Sequence, residues 1–546
     1  MSDQRILASS AVMAAGTVFS RASGFIRSAL LVMALGAALR GDLFTIANTL
    51  PNMVYILLAG GIFNAVLVPQ LVRRIKGDPD GGDAYASRVI TLSALFLGAV
   101  TVLLVVLAPQ LLRIYLDDRL LLPDRAAQFE TIVDLTRWCL PQVFFYGMFV
   151  LLGQVLNARE RFGPMMWAPI ANNLISVVML VAYLVVWGPI GDSPERYEAL
   201  TTSQEVLLGL GSTVGIVAQC LVLMPYLRVS GFTYRPRFDF RDPELRRTLS
   251  LGIWTVLFVI ATQAAYLVVV KLASRGTADG GDGTGLLVYS SSLLIMMVPH
   301  AIVTVSLATA ILPRLSTQAS ENRLRDLGTT VGSTLRTALA LVLPFAVLLP
   351  VLAGDVAAFA FGWAGGEDTA ASFVPTLALF GPALAFFTVH YFMLRGFYAM
   401  ERTRLVFFIQ LAVSLTNIVV ALVLVPSRPP AETAPMLVVA YLSSYVVGAA
   451  VSFLVLQRTV GTLEAPQLVR FLVRMALVLA AAGAAAWAVE LALAGLGDRP
   501  PPLVALLRGG LSGLAGGLVV LAGARLLHVR EVTTVVDTVA ARLRRG

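Results

Sequence analysis

Charged side chains are scarce in this sequence. Only 13% of its 546 residues are Asp, Glu, Lys or Arg, whereas 58% are hydrophobic. A soluble domain needs far more charge to keep its surface hydrated, so this composition excludes an ordinary soluble protein. Cysteine is scarcer still: Cys139 and Cys220 are the only two, and both lie in apolar stretches. We expect two small buried side chains there, because no disulfide or zinc-binding spacing is present.

Several catalytic motifs are also absent. The sequence contains no GxxxxGKS/T phosphate-binding loop, no HExxH pair and no GxSxG turn. These absences argue against an ATPase, a zinc protease and a serine hydrolase. The segments between apolar runs are too short to hold a catalytic domain. We therefore expect a protein that is not an enzyme and that uses no cofactor or metal. Its energy would come from ion gradients, the membrane potential or consumption of its substrate.

Long apolar runs are what the sequence does contain. Stretches of about 20 apolar residues recur along the chain, and each can cross a hydrocarbon core of about 30 Å as a helix. We predict an all-α integral membrane protein with about fourteen transmembrane helices. The first run is too long for a signal peptide and is predicted to be retained. Arginines concentrate on alternate loops, which places both termini in the cytoplasm and explains the net charge of +9 without nucleic acid.

An internal repeat organises the predicted helices. Pro69 and Pro313 close helices two and eight, while Asn173 and Asn417 occupy helices five and eleven, and the members of each pair are 244 positions apart. Such a repeat predicts two parallel, pseudo-symmetric six-helix lobes around a central cavity. The predicted division is an N-lobe of helices 1–6, a C-lobe of helices 7–12, and helices 13–14 with a short cytoplasmic tail, covering residues 1–230, 231–460 and 461–546.

Arg21 and Arg27 lie deep in the first predicted helix. A charge near mid-membrane costs several kcal/mol, about 2.5–3.5 on lenient scales, so each arginine should face water, a partner or a ligand. Six residues turn a straight helix by about 600°, which leaves the two side chains roughly 120° apart. Gly24 lies between them and permits a bend that would bring both to one cavity. The alternative is that one or both form structural pairs or extend to the membrane surface.

Helix two carries a polar stripe at helical spacing. The stripe consists of Thr45, Asn48, Thr49 and Asn52. Three residues allow this helix to bend, namely Pro51, Gly60 and Gly61. Asp42, at the outer start of the helix, is the acid nearest to the arginines in sequence, and a helix-capping role is its alternative. Lys271 and His300 mark helices seven and eight as partly polar. We expect helices one, two, seven and eight to line a water-filled cavity.

Several segments of the chain resemble a known family. They are residues 20–27, 41–44, 50–52, 63–69, 311–316 and 394–399. These segments are similar to the MurJ/MviN lipid II flippases of the multidrug/oligosaccharidyl-lipid/polysaccharide exporter superfamily, and residues 47–74 are similar to its actinobacterial branch. The resemblance covers nearly the whole chain and is most specific in the first eighty residues.

The resemblance implies two lobes of six helices, two further C-terminal helices and a location in the bacterial plasma (inner) membrane. It also implies that lipid II passes from the inner to the outer leaflet by alternating access. The family's helix-one arginines correspond to Arg21 and Arg27, and its helix-two acid corresponds to Asp42. Further substrate-binding candidates are Ser20, from the segment that carries the resemblance, Asn48 and Asn52, from the polar stripe, and Lys271 and Arg395.

Lys271 and Arg395 are included because the sequence departs from the family pattern. Tyr55, Ile56, Gly60 and Leu294 occupy positions where well-known members carry charged residues. Some members also bind sodium through acids on helices seven, eleven and twelve. The interiors of those helices hold no acid here, so sodium coupling is not expected.

Several other functions remain open from the residues. A flippase for another lipid-linked oligosaccharide would use the same arginines, whereas a cation-coupled drug exporter needs a carboxylate in its cavity. A membrane-embedded glycosyltransferase needs acids on a sizeable outer loop, and a non-transporting scaffold would tolerate mutation of the cavity. The expected partners are lipid II or a similar prenyl-diphosphate glycan, the lipid bilayer, and proteins of cell division or cell-wall synthesis.

Overall fold

The computed structural model describes residues 3–57, 82–159, 161, 163–191, 193–238, 253–278, 285–363, 366–497 and 500–543. Within these ranges the regular elements are helices and no strand occurs. The all-α prediction is therefore confirmed. Contacts divide the chain into two compact units, Met1–Gly280 and Gly281–Gly546.

The first unit contains the helices that hold most of the predicted site. They are α1 Asp3–Leu35, α2 Leu39–Ile56, α3 Asp83–Val106, α4 Ala108–Tyr115, α5 Ala126–Cys139, α6 Gln142–Ala158, α7 Gly163–Trp187, α8 Thr202–Leu221, α9 Leu223–Val229 and α10 Ile253–Ala278. Helix α2 packs against α5, α6 and α10, while α7 packs against α1 and α8. Buried apolar side chains of α3, α6 and α9 form a further core cluster.

Local sequence explains where α8 begins. Thr201 precedes the helix, and the Gln204 side-chain oxygen accepts a hydrogen bond from the backbone N–H of Thr201 at 3.0 Å. The Thr201 side chain caps the third residue of the helix in return, which completes a capping box. Polar residues at this helix start thus satisfy backbone groups that would otherwise lack partners at the membrane boundary.

The second unit is built around its longest helix. It contains α11 Leu286–Pro299, α12 Ser306–Ser320, α13 Leu324–Phe361, α14 Glu367–Ala399, α15 Thr403–Leu424, α16 Thr433–Val460, α17 Ala465–Ala492, α18 Pro502–Leu526 and α19 Arg530–Leu543. Helix α13 packs along α14, α17 and α18. A π-helical turn, His300–Val305, joins α11 to α12. Such turns often occur at functional sites.

Twelve helical stretches among the described residues are long and apolar enough to cross a membrane. They coincide with the third to fourteenth of the predicted transmembrane helices. Helices α1 and α2, which correspond to the first two, are not among these twelve. The structure is therefore compatible with fourteen spans and establishes a multi-pass membrane protein.

The repeat predicts that the seventh helix belongs to the C-lobe, whereas contacts place this helix in the first compact unit. Helix α10 belongs to the first compact unit and contacts α2 and the 3-10 helix Asp118–Leu121. Helices α17 and α18 belong to the second unit, where they pack against α13. Spatial compactness and sequence repetition are different criteria, so the lobe boundaries 1–230, 231–460 and 461–546 stay predictions. Asn173 and Asn417 are both buried in their respective helices, whereas Pro69 lies outside the described residues.

The predicted hinge residues lie in continuous helices where the structure describes them. Helix α1 runs through Gly24 and α2 runs through Pro51. A Cβ atom added to Gly24 would lie 3.7 Å from the Asn173 Nδ2 atom, an ordinary contact distance. Gly60 and Gly61 lie outside the described residues. The bending of these helices stays a prediction.

Two glycines of α13 allow the chain before α17 to approach closely. A Cβ atom on Gly328 would collide with the carbonyl oxygen of Thr462, and one on Gly332 would collide with that of Leu463. Neither obstacle is the end of a flexible side chain, because both are backbone atoms. Gly328→Ala should therefore lower the free energy of unfolding by about 1–3 kcal/mol, the usual cost of overpacking.

The melting temperature of the purified protein in detergent tests this prediction. Gly517→Ala is the matched control, because a Cβ atom on that helical glycine meets no atom within 4 Å. The control should match or exceed the wild-type melting temperature, since alanine favours helix over glycine by about 1 kcal/mol. Equal melting temperatures for Gly328→Ala and the wild type would show that the two backbones do not touch as described.

Candidate functional site

Arg27 and two tyrosines form the centre of the candidate site in the first unit. Arg27 is half-buried on α1 and lies within electrostatic range of the Tyr146 hydroxyl on α6. Tyr146 stacks on Tyr55 of α2, with ring centroids 4.5 Å apart and an interplanar angle of 29°. The guanidinium of an arginine and the hydroxyl of a tyrosine both donate hydrogen bonds. This cluster therefore suits an anionic or polyhydroxylated ligand. The sequence reasoning missed Tyr146, which had no charge or motif to distinguish it.

Ser20 belongs to a polar tie between α1 and α7. The side-chain amide of Asn173 donates one hydrogen bond to the Ser20 carbonyl oxygen at 3.0 Å and another to Ser23 Oγ at 2.9 Å. The tie fixes the face that α1 turns toward α7. Arg21, one residue after Ser20, is exposed. Arg21 and Arg27 thus differ in surroundings, as their angular separation along the helix predicts.

Asp42 lies at the start of α2 beside a buried arginine that the sequence reasoning missed. Asp42 is only 2% exposed and occupies the first turn, where a carboxylate interacts favourably with the helix dipole. Arg40 is 5% exposed and donates to the carbonyl oxygens of Glu198 and Ala199, each at 3.3 Å. Its guanidinium also lies 3.8 Å from the Glu195 carboxylate. These contacts tie the loop before α8 to α2.

Some side chains of the polar stripe on α2 form hydrogen bonds within the protein, and others are accessible to a ligand. The hydroxyls of Thr45 and Thr49 donate to backbone carbonyls one turn earlier, at 2.7 and 2.6 Å. Asn48 accepts a hydrogen bond at 3.1 Å from the side chain of Gln142, which is 1% exposed on α6. Asn52 is exposed. Asn48 therefore ties α2 to α6, whereas Asn52 is accessible to a ligand.

Lys271 lies near the end of α10, where it meets the segment after α4. Its ammonium is 3.8 Å from a carboxylate oxygen of Asp118, and the two side chains are 42% and 88% exposed. A pair with this exposure contributes about 0–1 kcal/mol to stability. Ser274 reinforces the junction, because its hydroxyl donates to the Lys271 carbonyl oxygen and accepts from the Asp117 N–H. The ammonium can therefore exchange this partner for another anion at little cost.

Arg395 belongs to the second unit and lies among tyrosines. Its guanidinium carbon is 4.3 Å from the centroid of the Tyr391 ring and 6.0 Å from that of Tyr398. Its NH2 group also donates to the Tyr391 hydroxyl. The Nε atom is buried and has no hydrogen-bond partner within the described ranges. One N–H donor of Arg395 is thus unused by the residues around it.

His300 joins the same aromatic group from the π-helical turn. Its ring lies edge-on to Phe387 and Tyr391, with centroid distances of 4.6 and 4.8 Å. The ring is buried at 6% exposure. His390 is also buried, and its Nδ1 atom lies 3.3 Å from the Ser452 hydroxyl. Both histidines are packed within the unit. Among the described residues, no three His, Cys, Asp or Glu side chains group to hold a metal ion.

The described protein is helical and multi-pass, and its first two helices carry a half-buried arginine and accessible polar groups. These are the features of a membrane carrier for a polar or anionic substrate. A family model described as "Lipid II flippase MurJ" matches residues 31–498, well over half of the chain. The protein therefore belongs to the MurJ lipid II flippase family. The matched range begins after Ser20, Arg21 and Arg27, so the match does not include these three candidates.

Individual relatives agree with the family. A Rhizobium tropici protein named "Probable lipid II flippase MurJ" is 26% identical over 391 residues, which are 71% of this chain and 70% of the relative. A solved "Lipid II flippase MurJ, inward closed conformation" has the same fold, with a TM-score of 0.68 at 16% identity, covering 92% of this chain and 97% of its own. An inward-facing multidrug resistance MATE transporter of the MOP superfamily also shares the fold, with a TM-score of 0.63 at 15% identity, covering 81% and 95%.

The division of the polar stripe can be tested directly. Asn48→Ala removes the partner of a nearly fully buried amide, so it should lower the free energy of unfolding by about 1–3 kcal/mol. Asn52→Ala, one helical turn away and exposed, should change it by less than about 0.5 kcal/mol. Thermal unfolding of the purified variants measures both effects. If the two variants were equally stable, the hydrogen bond between Asn48 and Gln142 would have no structural role.

Proposed function

We propose that this protein moves the undecaprenyl-diphosphate-linked peptidoglycan precursor lipid II from the inner to the outer leaflet of the plasma membrane by alternating access. The observation that carries the proposal is the family match over residues 31–498, to a model described as a lipid II flippase. The shared fold with a solved lipid II flippase supports it over 92% of the chain. Cell-wall synthesis is the process that such a carrier would serve.

Arg27 is the residue best placed to hold the diphosphate. A guanidinium presents a planar fork of donors that matches phosphate oxygens, and such charge-assisted hydrogen bonds are roughly twice as strong as neutral ones. The half-buried position of Arg27 strengthens this attraction, because the surrounding dielectric is lower than in water. Tyr146 lies near it and adds a neutral donor, and Tyr55 stacks on Tyr146. Arg21 and Asn52 are exposed and can contact the polar head of the substrate.

Ser20, Asp42 and Asn48 play a different part in this proposal. Their described surroundings are other protein groups, so they hold α1 and α2 in position. Lys271 and Arg395 supply further positive charge, one through an exposed ammonium and the other through a buried, unused N–H. With the predicted topology, a membrane potential that is negative inside favours outward movement of the anionic head group.

Complementation provides the first test. Expression of this protein in bacteria depleted of their own lipid II flippase should restore growth and should restore lipid II on the outer leaflet, measured by labelling intact cells. Growth depends on the flippase step, because a diphosphate-linked saccharide does not cross a hydrocarbon core unaided. Good expression without rescue would contradict lipid II as the substrate. Rescue in a strain that lacks the flippase of another lipid-linked oligosaccharide would identify that glycan instead.

The role of Arg27 is tested in the same cells. Arg27→Ala should reduce the outward movement of lipid II at least about tenfold at unchanged protein level, because a hydrogen bond to a charged group contributes about 1.5–3 kcal/mol. Arg27→Lys should retain part of the activity, since it keeps the charge but loses the fork. Arg137→Ala is the control: that arginine is 48% exposed and pairs only with Asp134 on its own helix among the described ion pairs. Full activity of Arg27→Ala would remove Arg27 from the mechanism.

A further inference from the structure

Two carboxylates in the second unit, one buried and one mostly buried, share one arginine. Arg508 of α18 places its Nε atom 2.8 Å from Asp355 Oδ1 on α13 and 3.2 Å from Glu490 Oε2 on α17. Its NH2 group lies 2.6 Å from the same Asp355 oxygen, and its NH1 group donates to the Gly497 carbonyl oxygen at 3.0 Å. The side chains of Asp355, Arg508 and Glu490 are only 2%, 10% and 16% exposed.

The hydrogen-bond donors around this triad are too few for two ionised carboxylates. Asp355 Oδ2 and Glu490 Oε1 are both buried, and neither has a hydrogen-bond partner of standard geometry among the described residues, although the Ser512 hydroxyl is near enough to act on Glu490. Two carboxylates and one guanidinium also leave a net charge of −1 away from bulk water. An unpaired buried charge costs several kcal/mol. Each buried acceptor without a donor adds a smaller cost. One further positive charge that supplies a donor would cancel the net charge and satisfy at least one of the two oxygens.

A proton meets this requirement because it forms an O–H group. Two carboxyl groups that share one guanidinium repel each other when both are ionised, so such pairs commonly hold one proton between them. We propose that Asp355 and Glu490 together bind one proton, with Arg508 holding the resulting acid–carboxylate pair. Uptake forms an O–H bond at one of the two unpaired oxygens, and the charge of the triad changes from −1 to 0.

A cleft lies along the stretch of α13 that carries Asp355, although the three residues of the triad do not line it. It is lined by residues of α13, α14 and the segment before α18, namely Gly354, Ala358, Gly362, Glu367 and Pro500. Gly354 and Ala358 of α13 and Gly362 directly after it are small and recur one turn apart, so this side of the chain leaves space for water. Glu367 adds a carboxylate at the cleft. With the predicted topology this end of α13 faces the outside of the cell, so the proton would come from the outer aqueous phase.

The groups that can influence the bound proton lie on each neighbouring element. They are Arg508 on α18, Glu367 and Asp368 in the first turn of α14, and the Ser512 hydroxyl on α18. Asp498 and Arg499 also belong to this part of the sequence but lie outside the described residues. The proton site goes beyond the proposed function, because it is defined whichever lipid the protein carries. Its test requires no transport assay.

A second triad on the other side of the unit provides a matched control. Arg336 of α13 lies 2.8 Å from a carboxylate oxygen of Glu464 and 3.2 Å from one of Glu531. It therefore has the same composition of one arginine and two carboxylates. The two glutamates are 26% and 25% exposed, so water can solvate their oxygens. This triad needs no proton to complete its hydrogen bonds.

Infrared spectroscopy of the purified protein in lipid tests the proposal. An un-ionised carboxyl group has a carbonyl stretching band that shifts when water is exchanged for D₂O. At neutral pH, the wild type should show one carboxylic acid per protein that is missing from both Glu490→Gln and Asp355→Asn. The amide of glutamine can donate to the free oxygen of Asp355, so Glu490→Gln should preserve the fold. Its melting temperature checks this.

Three outcomes decide the matter. Loss of the band in Glu490→Gln, with the wild-type band retained in Glu531→Gln, would support a proton site. Identical spectra of the wild type, Glu490→Gln and Asp355→Asn would overturn it and leave the triad as an ion-paired tie between helices. A band that appears only after sodium is removed, and that disappears when sodium is restored, would also overturn it, because the pair would then bind sodium.

Discussion

The cost of a charge in hydrocarbon is the constraint on which the rest of this structure depends. Only 13% of the residues are charged, and those within the helical units need partners, because a lone charge near mid-membrane costs several kcal/mol. The described pairs meet this need between different segments: Arg159, directly after α6, with Asp83; Arg336 with Glu464, directly before α17; and Arg508 with Asp355. Each pair joins segments far apart in sequence, so satisfying the charge also fixes which helices become neighbours.

Arg27 differs from these paired arginines. The neighbour that the structure describes for it is Tyr146, whose ring stacks on Tyr55, and neither tyrosine carries a full charge. Tyrosines accommodate a guanidinium through their faces and hydroxyls without neutralising it. A half-buried arginine in such surroundings keeps its attraction for anions, whereas a carboxylate partner would cancel it. This contrast supports Arg27 as a binding group, and it assigns Arg40, whose partners are carbonyls and Glu195, to the architecture.

Sequence pattern predicted the parts of this protein that local physics determines. Apolar runs of membrane-spanning length gave twelve helices that the structure contains, because backbone groups in hydrocarbon must pair within their own helix. The residues of the polar stripe do lie on one helix, α2, as their spacing predicts. The sequence could not tell the structural role of Asn48 from the accessible position of Asn52, because the difference is the hydrogen bond from Gln142 on another helix. The Asp355–Glu490–Arg508 triad had no signal in the sequence. Asp355 and Arg508 are 153 positions apart, and only tertiary packing brings them together.

The departures from the family pattern have a physical consequence for a carrier. The resemblance implies an arginine at the position of Tyr55, whose ring stacks here on Tyr146, the tyrosine near Arg27. A carrier has to bind its substrate on one side and release it on the other, so binding that is equally tight in both states would trap the substrate. Replacing a second fixed charge by a neutral donor weakens the electrostatic hold on a diphosphate while preserving hydrogen bonding. In the proposed carrier, Arg27 with Tyr146 would therefore favour release, and exposed groups such as Arg21 and Lys271 would assist capture at lower cost, because they remain hydrated.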